Sequence, residues 1–138
     1  MTSDSQDALA EAITAIERSY EFMLAYAAQG RDFEDPQSGQ SIRQYLKKLR
    51  EALGAIGALV AAHDGDGKPP VFGPYVDVLR GDAEKAKAAV EVALSLPSIG
   101  SQLVDNLNAS IHLRAVLTDV FLVDEALKSA RRFAAKKR

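Results

Sequence analysis

Histidine is well suited to metal binding, acid–base catalysis and phosphate transfer, and this sequence contains only His63 and His112. A di-iron site in a helical bundle needs glutamate–x–x–histidine pairs, because one helical face must supply both a carboxylate and an imidazole. Val60 and Ala109 stand three residues before the two histidines, so this pattern is missing. A haem held by Met23 and His112 would require ligands at similar heights, but antiparallel pairing of the first and last helices separates them by roughly 12 Å along the axis. The sequence therefore predicts no metal and no cofactor.

The segment around His112 contains a short sequence motif. Residues 111–118 read Ile-His-Leu-Arg-Ala-Val-Leu-Thr, and they resemble the phosphoacceptor box of histidine kinases, in which His-x-Leu-Arg precedes a final Leu-Thr. When the Leu-Arg and Leu-Thr pairs are matched, Ile111 takes the place of the histidine and His112 follows one residue later. The resemblance implies phosphotransfer through His112, with the imidazole rotated by about 100° from the position of the family's histidine.

Aromatic residues near the end of the first predicted helix are a second candidate for function. With the glycines of the second helix leaving room beside them, they could line a pocket for a small molecule, since such pockets are largely apolar with a few polar groups. Packing in the core is the commoner use of such residues. The candidate pocket residues are Tyr20, Phe22, Met23, Tyr26 and Tyr45.

The strongest charge asymmetry lies at the C-terminus, where six basic residues and no acidic residue follow Glu125. A helix dipole favours cations at this end, which accounts for such a cluster without any partner. The alternative is contact with an anionic partner, although the net charge of −2 argues against nucleic acid. The candidate contact residues are Arg131, Arg132, Lys136 and Lys137.

Composition indicates a globular protein of one domain over residues 1–138. Hydrophobic residues make up 47% of the chain and charged residues 26%, proportions that can build a core. The absence of cysteine excludes disulfides, thiolate metal sites and cysteine nucleophiles. The N-terminal residues show no signal peptide, and the most apolar run, 52–62, is too short to span a bilayer. A cytoplasmic location is the resulting expectation.

Apolar residues recur at steps of three and four along nearly the whole chain, which predicts amphipathic helices. Helices are expected at about 5–29, 40–63, 74–96 and 98–135, separated by segments containing glycine or proline. Short connections and heptad-like steps favour antiparallel neighbours with shallow crossing angles. The predicted fold is all-α, an antiparallel four-helix bundle with a long C-terminal helix.

The last predicted helix carries more apolar surface than three neighbours can cover. The centre of its apolar face turns by roughly half a revolution between Leu103 and Ala134, so different partners must pack along its length. Between residues 116 and 123 most of the circumference is apolar, interrupted mainly by Thr118 and Asp119. We therefore expect a non-enzymatic interaction protein, an adaptor, regulatory subunit or small chaperone that acts as a homodimer. The predicted interface is Val116, Val120, Phe121, Leu122 and Val123.

Overall fold

A computed structural model describes residues 3–35, 41–64 and 73–136, and these residues are all-helical, without a strand. This confirms the predicted fold class at the level of secondary structure. Within these ranges none of the helices has an apolar stretch long enough to cross a membrane. There are five helices in the described part: α1 (Ser3–Ala28), α2 (Ile42–Asp64), α3 (Gly73–Leu94), α4 (Ser101–Ala109) and α5 (Ile111–Lys136).

The first three helices begin and end close to the predicted bounds, for identifiable reasons. Gly30 follows α1 with φ of 64°, a left-handed conformation that glycine adopts without steric cost. At the start of α2 the Ser41 hydroxyl accepts a hydrogen bond from the Gln44 N–H (3.1 Å), and the Gln44 side chain accepts one from the Ser41 N–H (3.3 Å). This capping box explains why α2 begins at Ile42 rather than at residue 40.

The single helix predicted over 98–135 is replaced by two helices that meet at Ser110. Ser110 has φ of −59° and ψ of 129°, so the chain leaves the helical conformation for one residue. Its N–H donates to the Leu107 carbonyl (3.1 Å), and its side-chain oxygen accepts from the His112 N–H (3.3 Å). The break lets α4 pack mainly against α1 while α5 packs mainly against α3. A straight helix could not turn both apolar faces inward, because they point in different directions.

The core extends through all five helices. α1 packs on α2 and α2 on α3, while α4 mainly contacts α1 and α5 mainly contacts α3. Each helix contributes a row of buried aliphatic side chains at the predicted spacing. The largest fully buried side chains are Ile16, Met23, Ile42, Leu46, Leu49, Ile56, Leu79, Ile99, Leu113, Val60, Val90 and Val104.

A polar cluster, which we call the loop clamp, joins the α1–α2 and α3–α4 connections. Arg43 of α2 donates to the Glu34 carboxylate (2.6 Å) and to the carbonyl oxygens of Leu94 (3.0 Å) and Leu96 (2.8 Å). The same carboxylate oxygen of Glu34 accepts from the Ile99 N–H (2.8 Å). One guanidinium therefore satisfies carbonyl groups left open at the C-terminal end of α3.

Ser101 and Tyr26 extend the loop clamp into the core. The Ser101 hydroxyl donates to the Tyr26 carbonyl (2.7 Å) and accepts from the Arg31 N–H (2.8 Å). The Tyr26 hydroxyl donates to the Ile99 carbonyl (2.6 Å). These bonds join residues distant in sequence, so the start of α4 is held against the end of α1.

Candidate functional site

The five residues predicted to form an interface lie on two different faces of α5. Val116, Val120 and Val123 are buried in the core of the single chain. Phe121 and Leu122 are 51% and 53% exposed. The burial of the three valines leaves Phe121 and Leu122 as the members of the predicted set that a partner can reach.

Three large apolar side chains lie in a line along the outer face of α5. Ile111 is 74% exposed, Leu122 53% and Phe133 61%. They follow each other at intervals of 11 residues, which is three helical turns plus only about 20°. The residues between them on this face are small, and we call the whole set the outer stripe: Ile111, Ala115, Thr118, Leu122, Ala126, Ser129 and Phe133.

The outer stripe lies roughly opposite to the buried face of α5. It spans about 33 Å from Ile111 to Phe133, since a helix rises about 1.5 Å per residue. Phe121 lies about 100° away around the helix from Leu122, so it flanks the stripe rather than joining it. Neighbouring large side chains of the stripe are about 16.5 Å apart along the helix axis, with small residues between them.

The predicted aromatic pocket is not a single cavity. Met23 is fully buried and Tyr26 nearly so, and both serve the core. The rings of Phe22 and Tyr45 stack on each other with their centroids 4.1 Å apart, and Tyr20 is partly buried against the core. Phe22 and Tyr45 therefore fill space between α1 and α2, whereas the Tyr26 side chain reaches the segment before α4.

Tyr45 also borders an open groove of about 510 Å³ between α1 and α2. A smaller cavity of about 250 Å³ lies at the end of α1, beside Phe22 and Tyr26. The larger groove carries both acidic and basic side chains on its rim. It is lined by Asp7, Ala10, Glu11, Thr14, Ala15, Arg18, Ser19, Tyr45 and Lys48.

The predicted basic contacts lie on the last two turns of α5. Arg131, Arg132 and Lys136 are exposed, while Lys137 lies outside the described residues. Arg132 donates to the Glu125 carboxylate (2.8 Å), a pair in which both side chains are mostly exposed. Every residue from 128 to 136 is exposed, so this end of α5 projects from the helices that pack against the rest of it.

His63 lies in the last turn of α2, and His112 lies in the first turn of α5. His112 is exposed at the start of α5, whereas Met23 is buried, so the two side chains do not face a common haem position. Across residues 3–35, 41–64 and 73–136, no three histidine or acidic side chains are grouped to hold a metal ion.

A buried acidic residue, Asp119, lies where α5 packs against α3. Asp119 is only 4% exposed, and Tyr75 of α3 donates a hydrogen bond of 2.7 Å to its Oδ1 atom. Burial and the nearby Asp82 carboxyl raise the pKa of Asp119 to about 6. The hydrogen bond to Asp119 raises the pKa of Tyr75 to about 12. The signal in the sequence was an aspartate interrupting an otherwise apolar circumference.

Comparisons with protein-family models, with curated proteins and with solved structures found no match to this chain.

Proposed function

We propose that this chain is a non-enzymatic interaction protein that associates with a second copy of itself through the outer stripe of α5. The observation that supports this most directly is the line of exposed Ile111, Leu122 and Phe133. Burial of such side chains stabilises an interface by roughly 1.5–3 kcal/mol each when it is complete. A helix face with large side chains separated by small ones is well shaped for contact with another helix.

The spacing of the outer stripe favours a second copy as the partner. The outer stripe is symmetric about Leu122. A large apolar residue lies 11 positions away on each side, and small residues lie four and seven positions away on each side. Two antiparallel α5 helices related by a twofold axis at Leu122 would therefore place Ile111 of each copy against Phe133 of the other. Such a self-complementary surface is what an isologous dimer requires.

The test is the mass in solution of the wild type and of Leu122→Glu. The wild type is expected to have about twice the chain mass of 14.8 kDa. The variant is expected to have the mass of one chain, because the introduced carboxylates of the two copies would face each other across an apolar contact at the twofold axis. Light scattering at several concentrations measures this. A wild type that remains at the mass of one chain at about 100 µM, a concentration well above ordinary dimer dissociation constants, would refute the proposal.

A matched control separates the outer stripe from exposed apolar surface in general. Val92 of α3 is 60% exposed and lies outside α5. Val92→Glu is expected to leave the mass of the assembly unchanged, and Phe121→Glu to weaken it less than Leu122→Glu does. If Val92→Glu and Leu122→Glu reduce the mass equally, the contact does not lie on the outer stripe.

A second proposal is small-molecule binding in the groove beside Tyr45. Its volume of about 510 Å³ is within the range of ligand sites, and its rim offers Arg18 and Lys48 as cationic contacts. A screen of metabolites by thermal shift tests this, since a ligand that binds only the native state raises the melting temperature. If Lys48→Ala abolishes the rise in melting temperature, the ligand binds in this groove. If the rise is retained, the ligand binds elsewhere.

We also propose that the helices form an antiparallel four-helix bundle, in which α1, α2 and α3 are three members and α4 and α5 together form the fourth. The hydrogen bonds from Ser101 and Asn108 to α1 support this, because they hold α4 beside α1. Interhelical contacts measured by NMR between α4 and α1, and between α5 and α3, are the test of this arrangement. We propose that the protein is located in the cytoplasm.

A further inference from the structure

Two carboxyl groups and a tyrosine hydroxyl meet where α5 packs against α3. Tyr75 and Asp82 are seven residues apart on α3, so they lie on one face about two turns apart. The Tyr75 hydroxyl donates to Oδ1 of Asp119 (2.7 Å), and the Asp82 carboxyl is close enough to Asp119 to raise its pKa. The other carboxylate oxygen, Oδ2 of Asp119, is buried and accepts no hydrogen bond from the described part of the chain.

This arrangement favours the protonation of one of the two carboxyl groups. Two ionised carboxylates in contact repel each other, and a buried charge without a cation is costly. If one proton is shared, a carboxylic acid can donate to the neighbouring carboxylate, which gives the buried Asp119 carboxyl group a second hydrogen bond. Within the described residues, Asp82 is the charged group that raises the pKa of Asp119 and Tyr75 is the group that lowers it. No charged side chain from α1 or α4, the other described helices in contact with α5, acts on this pKa.

We propose that Tyr75, Asp82 and Asp119 form a proton-operated latch between α3 and α5, which holds the two helices together most strongly in mildly acidic solution and weakens toward neutral pH. The latch lies one helical turn from Leu122, on the side of α5 that faces α3. It does not depend on self-association, because all three residues belong to one chain.

The direction of the pH dependence follows from the raised pKa of Asp119. An aspartate in the unfolded chain has a pKa of 3.8, whereas the folded value is about 6, so the folded protein binds a proton that the unfolded protein has already released. The stabilising contribution is complete below about pH 4 and is lost as the pH rises through about 6. This is opposite to an ordinary salt-bridged aspartate, whose contribution is lost in acid.

The experiment compares the wild type with Asp119→Asn by thermal unfolding between about pH 4.5 and about pH 7.5. An asparagine reproduces the protonated acid, because its amide can donate to Asp82 while its oxygen accepts from Tyr75. At the upper pH the variant is expected to melt higher than the wild type by about 5 °C. At the lower pH the difference is expected to fall to within about 1–2 °C. Both proteins are measured at a concentration at which light scattering gives the mass of a single chain, so that self-association does not contribute to the difference.

Two further variants make the result specific. Asp77→Asn removes an exposed carboxyl of α3 and is expected to follow the pH profile of the wild type. Tyr75→Phe removes the donor that lowers the pKa of Asp119, so the loss of stability is expected to shift to higher pH. A difference between wild type and Asp119→Asn that stays constant across the range overturns the proposal.

A direct measurement does not depend on any variant. The side-chain carboxyl carbon of Asp119 in the wild type is expected to titrate with a midpoint near pH 6, as followed by NMR. A carboxyl resonance that does not change between about pH 5 and about pH 7 overturns the latch. This outcome is separate from the test of self-association, which is a measurement of mass.

Discussion

Arg43 shows how one side chain can hold three parts of this protein together. Its guanidinium lies between the Glu34 carboxylate and the carbonyl oxygens of Leu94 and Leu96. Both side chains of the ion pair are largely buried, with 26% of Arg43 and 16% of Glu34 exposed. Only a planar group with several N–H donors can satisfy these acceptors at once. We therefore regard the role of Arg43 as structural.

Replacement of Arg43 is expected to destabilise the protein substantially. Arg43→Met should lower the free energy of unfolding by about 2–3 kcal/mol, because Glu34 is left without its cation and two carbonyl groups lose their donors. Arg43→Lys should recover only part of the loss, since an ammonium group cannot match the same fork. Denaturation in urea measures both.

The control for Arg43 is the exposed ion pair of α5. Arg132 and Glu125 are separated by 2.8 Å, but their side chains are 63% and 67% exposed. Arg132→Met is expected to change the unfolding midpoint little, because exposed pairs contribute little to stability. An equal effect of Arg43→Met and Arg132→Met would contradict the structural role of the loop clamp.

The connection before α4 places a steric demand on one residue. Gly100 precedes α4 and packs against the α1–α2 connection, so that a Cβ atom there would lie 2.9 Å from the Asp32 carbonyl oxygen and 3.2 Å from that of Arg31. Backbone atoms cannot move away as a flexible side chain can. The close approach is maintained by the Ser101 N–H, which donates to the Arg31 carbonyl (2.8 Å).

Two glycine substitutions are expected to have opposite signs. Gly100→Ala should destabilise the protein by about 2 kcal/mol, because the added methyl group overlaps backbone and separates the two connections. Gly81→Ala, inside α3 with nothing within 4 Å of the new Cβ, should stabilise it by roughly 0.5–1 kcal/mol through helix propensity. Thermal unfolding measures both, and a stabilising Gly100→Ala would disprove the close approach.

The whole molecule separates its charges along the chain. All 19 acidic residues precede residue 126, whereas six of the 17 basic residues follow it. The described part of this basic segment is the exposed end of α5, where Leu127 is the last buried residue. The segment therefore contributes little to the core, while Phe133 completes the outer stripe.

A chain that ends at Ser129 is expected to fold and to associate less strongly. Its melting temperature should lie within about 2 °C of the wild type at protein concentrations where both are single chains, because the removed part of α5 is exposed. At higher concentration a smaller fraction of the shortened chain should be dimeric than of the wild type, because the outer stripe has lost Phe133. A melting temperature lower by about 10 °C would show that this segment stabilises the fold after all.

The bounds of the helices were more predictable from the sequence than the contacts between them. The bounds of α1, α2 and α3 followed from the three- and four-residue steps of apolar residues together with Gly30 and the proline-containing segments. The break at Ser110 was not predicted, because serine is tolerated inside helices and its position depends on which neighbour each half contacts. The rotation of the apolar face between Leu103 and Ala134 did indicate that the partners change.

The sequence indicated that α5 carries surplus apolar residues, but it did not indicate correctly which of them are exposed. Leu122 stood off the main apolar seam in the sequence and is exposed in the structure, whereas Val116, Val120 and Val123 formed part of that seam and are buried. The loop clamp could not have been found, since Arg43 and Leu94 are 51 residues apart and ordinary in type.

The sequence by itself determined that the chain is helical, where its first three helices lie and which faces they bury, because periodicity is a local property that each segment carries alone. Only the tertiary structure decided where the last helix divides, which apolar residues of α5 remain exposed, and that Asp119 meets Tyr75 and Asp82. These depend on contacts between segments far apart in the chain, and such contacts exist only after the helices have packed.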